Sequence, residues 1–182
     1  TASQALLDAA IAAEADLVLV HHGYFWRNEA APLTGVKGRR IATLMRAGVS
    51  LLAYHLPLDA HPELGNNRQL GLRFGFDRCA ADEGLLWGVE LAQPMSVRDL
   101  LDRVAKTLDR APLVVGPDHE VSRLAWCTGA AQGMIEQAAQ RGFDAYISGE
   151  ISEQTLHQAR ELGILYLSAG HHATERFGVQ AL

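Results

Sequence analysis

The chain has 182 residues, enough for one or two domains with a sizeable core. Hydrophobic residues at 48% and charged residues at 20% are an ordinary balance for an α/β protein. A formal net charge of -5 without a run of Lys or Arg argues against nucleic acid, and the apolar run at residues 17 to 20 is too short to cross a bilayer.

Apolar periodicity predicts helices alternating with short strands. SQALLDAAIAAEA reads as a helix capped by Ser3, followed by the strand DLVLV. GRRIATLMRAG is a helix ending at Gly48, and VSLLAY the strand after it. Ser96 to Arg110 is a capped amphipathic helix with Leu100, Leu101, Val104 and Leu108 on one face. The strand SRLAWCT, the helix AAQGMIEQAAQRG, the strand FDAYIS, the helix SEQTLHQARELG and the strand ILYLSAG complete the order. Such alternation predicts largely parallel sheets flanked by helices. Cys79 and Cys127 stand far apart with no CxxC spacing, which predicts two buried thiols and a reducing, cytoplasmic setting.

The chain also repeats itself. Sliding it by 128 positions sets Gln4, Leu6, Leu7, Asp8, Ala10 and Asp16 on Gln132, Met134, Ile135, Glu136, Ala138 and Asp144, and carries His21 and His22 onto Gly149 and Glu150. Past a longer loop the offset becomes 115, and Gly48-Val49 falls on Gly163-Ile164. The expected organisation is a first half over residues 1–75, a connecting strand and helix over 76–120, and a second half over 121–182. The first half has no counterpart of SRLAWCT before Thr1, and the chain stops soon after Glu175. Both ends are therefore expected to be interior to a longer protein, with an unpaired sheet edge that invites aggregation.

Ligands of open α/β sheets bind beyond the carboxyl ends of the strands. The first strand ends there at His21-His22, the second runs into HLPLDAHPE with His55, Asp59 and His61, and the last ends in GHHATE with His171, His172 and Glu175. Strand alternation would aim His21 and His22 at opposite faces, but Gly23 permits a turn that brings the rings together. His171 and Glu175 share a face if a helical turn begins at that point. Each group has a plainer alternative: a hydrogen-bonded histidine, a cap after Pro57 for Asp59, a surface helix for Glu175. Gathered at equivalent strand ends, such groups would be costly to desolvate without a shared partner. Three imidazoles and two carboxylates suit first-row divalent ions (Zn, Fe, Mn, Co or Ni), and five groups suit two ions sharing a carboxylate. His61 and His119 read as surface residues, and Tyr24, Phe25 and Trp26 as core packing under the histidine pair rather than a stacking surface.

VHHGYFW, YHLPLDAHPELGNN, SGEISEQTLHQARELG and SAGHHATERFG, in this order over essentially the whole chain, resemble the Nif-three-like dinuclear metal-centre family, whose members are labelled GTP cyclohydrolase 1 type 2 homologues. The resemblance implies two metal ions per chain, with His21, His22, Asp59, His171 and Glu175 as ligands and Glu175 bridging. It implies two similar α/β halves, assembled as a toroidal homo-hexamer, with a small molecule as substrate and no membrane partner. The label implies hydrolysis of a nucleotide such as GTP by a metal-activated water; a phosphoesterase or a non-catalytic ring-forming scaffold would use the same site. His55, Glu150, His157 and His172 are the candidates for acid-base work or for orienting a ligand.

Overall fold

In a computed structural model, which describes residues 1–182 except the side chain of Glu83, the chain forms two compact units, Thr1–Leu58 and Asp59–Leu182. In the first unit α1 (Gln4–Ala12) and α2 (Gly35–Ala47) alternate with β1 (Leu17–Val20) and β2 (Ser50–Ala53), which pair in parallel. The Ser3 hydroxyl accepts the Leu6 N–H and caps α1, while α2 stops at Gly48 in the left-handed region (φ 69°). One face of the strand pair buries Val18 and Val20 with Ala2; Leu17, Leu52 and Tyr54 remain exposed. A short helix, α3 (Leu56–Ala60), follows β2.

The second unit continues with α4 (Asn66–Arg73), β3 (Ala80–Glu83), β4 (Leu86–Met95), α5 (Val97–Leu108), β5 (Leu113–Val115) and β6 (Val121–Trp126). A single 3-10 turn then leads into α6 (Ile135–Gln140), β7 (Ala145–Ser148), α7 (Glu153–Leu162), β8 (Leu165–Ser168), α8 (His171–Thr174) and α9 (Phe177–Ala181). Its six strands lie in the order β3-β4-β6-β7-β8-β5. Alternation along them divides the core. Leu124, Trp126, Ile147 and Leu167 pack with Leu100, Val104 and Leu108 of α5, while Ala125, Tyr146 and Tyr166 pack with Ile135, Ala138 and Ala159 of α6 and α7. Each such leucine or isoleucine contributes about 1.5–3 kcal/mol on burial, so helices on both faces hold this sheet.

The α/β class is the one expected, with one refinement. The strands of the repeat pair in parallel in both units, β1 with β2 and β7 with β8, and β6 joins β7 in parallel. The strands outside the repeat, β3, β4 and β5, pair antiparallel. The second sheet is therefore mixed and larger than the first.

The duplication is borne out bond by bond. The offsets of 128 and 115 carry the pairs Leu17↔Ser50 and Val20↔Ala53 onto Ala145↔Leu165 and Ser148↔Ser168, all of which are registered partners. The bond from Ser50 N–H to the Asp16 carbonyl likewise maps onto that from Leu165 to Asp144, and Tyr54 to Val20 onto Ala169 to Ser148. Even the turn after the first helix matches: Glu14 takes φ 54° where the other copy has Gly142 at φ 74°. A side chain there bears a conformation that glycine adopts freely.

Candidate metal centre

In the first unit, parallel pairing of β1 and β2 brings their carboxyl ends to the same side, and the residues just past them meet. His21 and His22 lie beyond the last paired residue of β1, where the pleat no longer sends them to opposite faces; their ring centroids are 4.6 Å apart. His55 completes a triangle, 5.0 Å from His21 and 5.4 Å from His22. One nitrogen of each ring lies within 4.8 Å of the other two, a spacing that could hold a metal ion. Gly23 serves the approach by its size rather than by an unusual φ, since a Cβ there would stand 2.6 Å from that of Ala53.

The buried His21 has a defined tautomer. Its Nδ1 lies 2.8 Å from the Tyr54 carbonyl, which only accepts, so Nδ1 carries the proton and Nε2 keeps its lone pair. Metal-binding histidines are oriented in this way.

In the second unit, Asp59 on α3 and Glu175 at the end of α8 are both buried, at 4% and 8% exposure, and present oxygens within 4.8 Å of each other. Two buried carboxylates this close are costly unless a proton or a cation lies with them. His171 sets the direction of the site. Its Nδ1 is 2.6 Å from Glu150 Oε1, and its Nε2 is 2.8 Å from Glu175 Oε2, the i,i+4 pair expected once α8 begins at His171. With the ring proton on Nδ1, Nε2 and Oε2 are both acceptors, and a cation drawing on both suits that distance. The alternative is a doubly protonated imidazolium. Imidazole with carboxylate is a donor set for first-row divalent ions, so the residues of each unit fit the ions that the motifs imply.

Several residues supporting this geometry escaped the sequence reading. Asn66 and Asn67 are fully buried at the start of α4. The Asn66 amide donates to Asp59 Oδ1 at 2.8 Å and accepts the Gly178 N–H at 2.7 Å; Asn67 donates to the Asp59 carbonyl at 3.3 Å and accepts the Thr128 N–H at 2.9 Å. Gly129 (φ 70°) leaves room for Glu175, because a Cβ there would overlap the carboxylate. Gly149 lets α8 close on β7, as a Cβ would come within 2.6 Å of the Gly129 carbonyl oxygen and 2.8 Å of the His171 Cα.

Of the other candidates, His157 on α7 and His172 on α8 are exposed and belong to neither cluster. His61 is an exposed turn residue whose Nδ1 accepts the N–H groups of Glu63 and Leu64. The aromatic expectation needs correcting. Tyr24 packs against the first core and donates to the Ala2 carbonyl at 2.7 Å, but Phe25 and Trp26 are 69% and 41% exposed. Trp26 lies against the His55 ring instead, and Phe25 lies under Lys37 Nζ, 5.7 Å from its ring centroid. Cys79 and Cys127 are buried free thiols, as expected. Burial, then the Asp59 charge, pushes the Cys127 thiol up to about 12. Among the described residues no helix is long and apolar enough to cross a membrane.

The fold and these clusters define an internally duplicated α/β protein with histidine and carboxylate groups able to hold metal. A family model described as Duf34/NIF3 (NGG1p interacting factor 3) matches residues 1–182, and the chain belongs to that family. Among curated relatives, the GTP cyclohydrolase 1 type 2 homolog of Allochromatium vinosum is 60% identical over 100% of this chain and 73% of its own length. The protein of the same name from Pseudomonas aeruginosa is 54% identical over 100% of this chain and 74% of its own. Among solved structures, protein ybgI superposes with a TM-score of 0.93 at 48% identity, over 99% of this chain and 74% of that one. TTHA1606 from Thermus thermophilus gives 0.89 at 32%, over 100% and 73%.

Proposed function

We propose that His21, His22, Asp59, His171 and Glu175 hold two divalent ions, with Glu175 shared, and that the protein is a hydrolase of a nucleotide or related small molecule. The observation that carries this reading is the His171 ring held between two carboxylates, Glu150 on Nδ1 and Glu175 on Nε2. The His21 tautomer supports it independently, because the Tyr54 carbonyl leaves Nε2 as the coordinating nitrogen. Divalent ions held by these residues would supply a water activated as a nucleophile near neutral pH. His55, in ring contact with His21 and His22, is suited to moving a proton there. The name GTP cyclohydrolase 1 type 2 homolog, borne by the relatives, makes GTP the first substrate to try. Assembly as a toroidal hexamer, which rests on the motif resemblance, and a cytoplasmic location, which rests on the two free thiols, belong to the same proposal.

Elemental analysis after reconstitution with Zn, Mn, Fe, Co or Ni, with a turnover screen on GTP and other nucleotides, tests the proposal. Two ions per chain and metal-dependent product release are expected. Less than one ion per chain with every metal would overturn it.

A further inference from the structure

We propose that Trp26 is a binding residue on which a planar heteroaromatic ring stacks beside the imidazole cluster of the first unit. The inference rests on the reading of that cluster as a metal site and names the part of the substrate that lies next to it. Trp87 and Trp126 are core residues at 3% and 0% exposure, whereas Trp26 is 41% exposed. Its indole meets the His55 ring edge-to-face, with centroids 4.8 Å apart and planes at 88°, and lies 6.0 Å from the His22 ring. An edge-to-face contact leaves an indole face open to a parallel ring.

The turn that presents the indole is built, not slack. The N–H groups of Phe25 and Trp26 both donate to Glu29 Oε2, at 2.8 and 3.2 Å, and the Glu29 N–H returns to the Trp26 carbonyl at 2.9 Å. Lys37 Nζ stands 3.5 Å from the same Glu29 oxygen. These bonds hold Phe25 at φ 66°, a left-handed conformation rare for an aromatic residue. Strain kept in place by surrounding bonds is characteristic of ligand-positioning segments. A flat π-face at the edge of a cluster of imidazoles suits a nucleobase-like ring, because stacking accepts any such ring while the neighbouring groups act on it.

Because Trp26 is the exposed tryptophan, intrinsic fluorescence reads the contact directly. The full chain, with and without added Zn2+, is titrated with GMP, guanosine and ribose 5-phosphate, and metal content is measured on the same samples. Saturable quenching by GMP and guanosine but not by ribose 5-phosphate is expected; a GMP-only response would still place the ring on Trp26 with the phosphate adding affinity. By equilibrium dialysis, Trp26→Ala should weaken GMP binding roughly tenfold or more, while Trp26→Phe keeps most of it. Absence of quenching, quenching by ribose 5-phosphate alone, or unchanged affinity in Trp26→Ala would overturn the proposal. Failure of the metal reading would show separately, as loss of metal from the wild-type chain.

Discussion

Glu150 Oε1 lies 2.6 Å from His171 Nδ1, at the position where the other copy of the repeat carries His22. The duplication has thus placed an imidazole at one strand end and, at the equivalent end, a carboxylate that orients an imidazole. Glu150→Ala removes both the charge and the acceptor and should weaken metal binding about 10- to 100-fold. Glu150→Gln keeps an acceptor and should lose less. Competition with a chelator measures both, and equal, near-wild-type affinity in the two variants would contradict the role.

Gly129→Ala should damage the site and the fold together. Its φ of 70° disfavours a side chain, and a Cβ would overlap Glu175 Oε1. Destabilisation of about 1–3 kcal/mol with displacement of the carboxylate is expected. Urea denaturation and metal content check it; a variant unchanged in both would show that Glu175 does not lie against Gly129.

Asn66→Leu tests the scaffold behind Asp59. It strips partners from Asp59 Oδ1 and the Gly178 N–H, both held by the buried amide. Leaving the Gly178 N–H unsatisfied and taking one bond from Asp59 Oδ1, which keeps the Thr128 hydroxyl at 3.4 Å, should cost about 2–3 kcal/mol. A loss below about 1 kcal/mol by urea denaturation would show that the amide does not carry these bonds.

How much of this was legible follows a physical line. Helices and strands of the repeat announced themselves through apolar spacing, and the strand-end histidines through their position, because both are properties of residue type and order. By contrast β4 was obscured, since Gly88 and Pro94 interrupt LWGVELAQPM and the ladder shifts between Glu90 and Met95. Nothing local marks Asn66 and Asn67 as buried; their burial depends on partners as distant as Thr128 and Gly178, which local pattern cannot see. Gly129 and Gly149 are required by the closeness of Glu175 and His171, a tertiary fact. Trp26 was misread because an aromatic run looks the same whether it fills a core or faces a ligand.

The Cys127 thiol supplies a pH dependence. Its folded value, about 12, stands above the ordinary 9.0, so the folded chain holds the proton more tightly than the unfolded one. The stability this gives is fully present below about pH 9 and is lost as pH climbs toward 12. Urea midpoints should therefore fall between pH 9 and 11, less steeply in Cys127→Ala. Native chain at pH 8 should also react slowly with a thiol reagent at this position. Identical pH slopes in the two proteins would contradict the assignment.

The central claim is one shared carboxylate between two ions, and metal content per chain of Glu175→Gln against Asp59→Asn tests it most directly. The proposal groups His22 and Asp59 on one ion and His21 and His171 on the other. Glu175→Gln removes the charge that would be common to both, and two doubly charged cations held close together would then repel more strongly in a partly dry site. Asp59→Asn weakens chiefly one. Content should fall toward zero in Glu175→Gln and toward one in Asp59→Asn, while equal loss in both variants, or two ions retained in Glu175→Gln, would contradict the bridge.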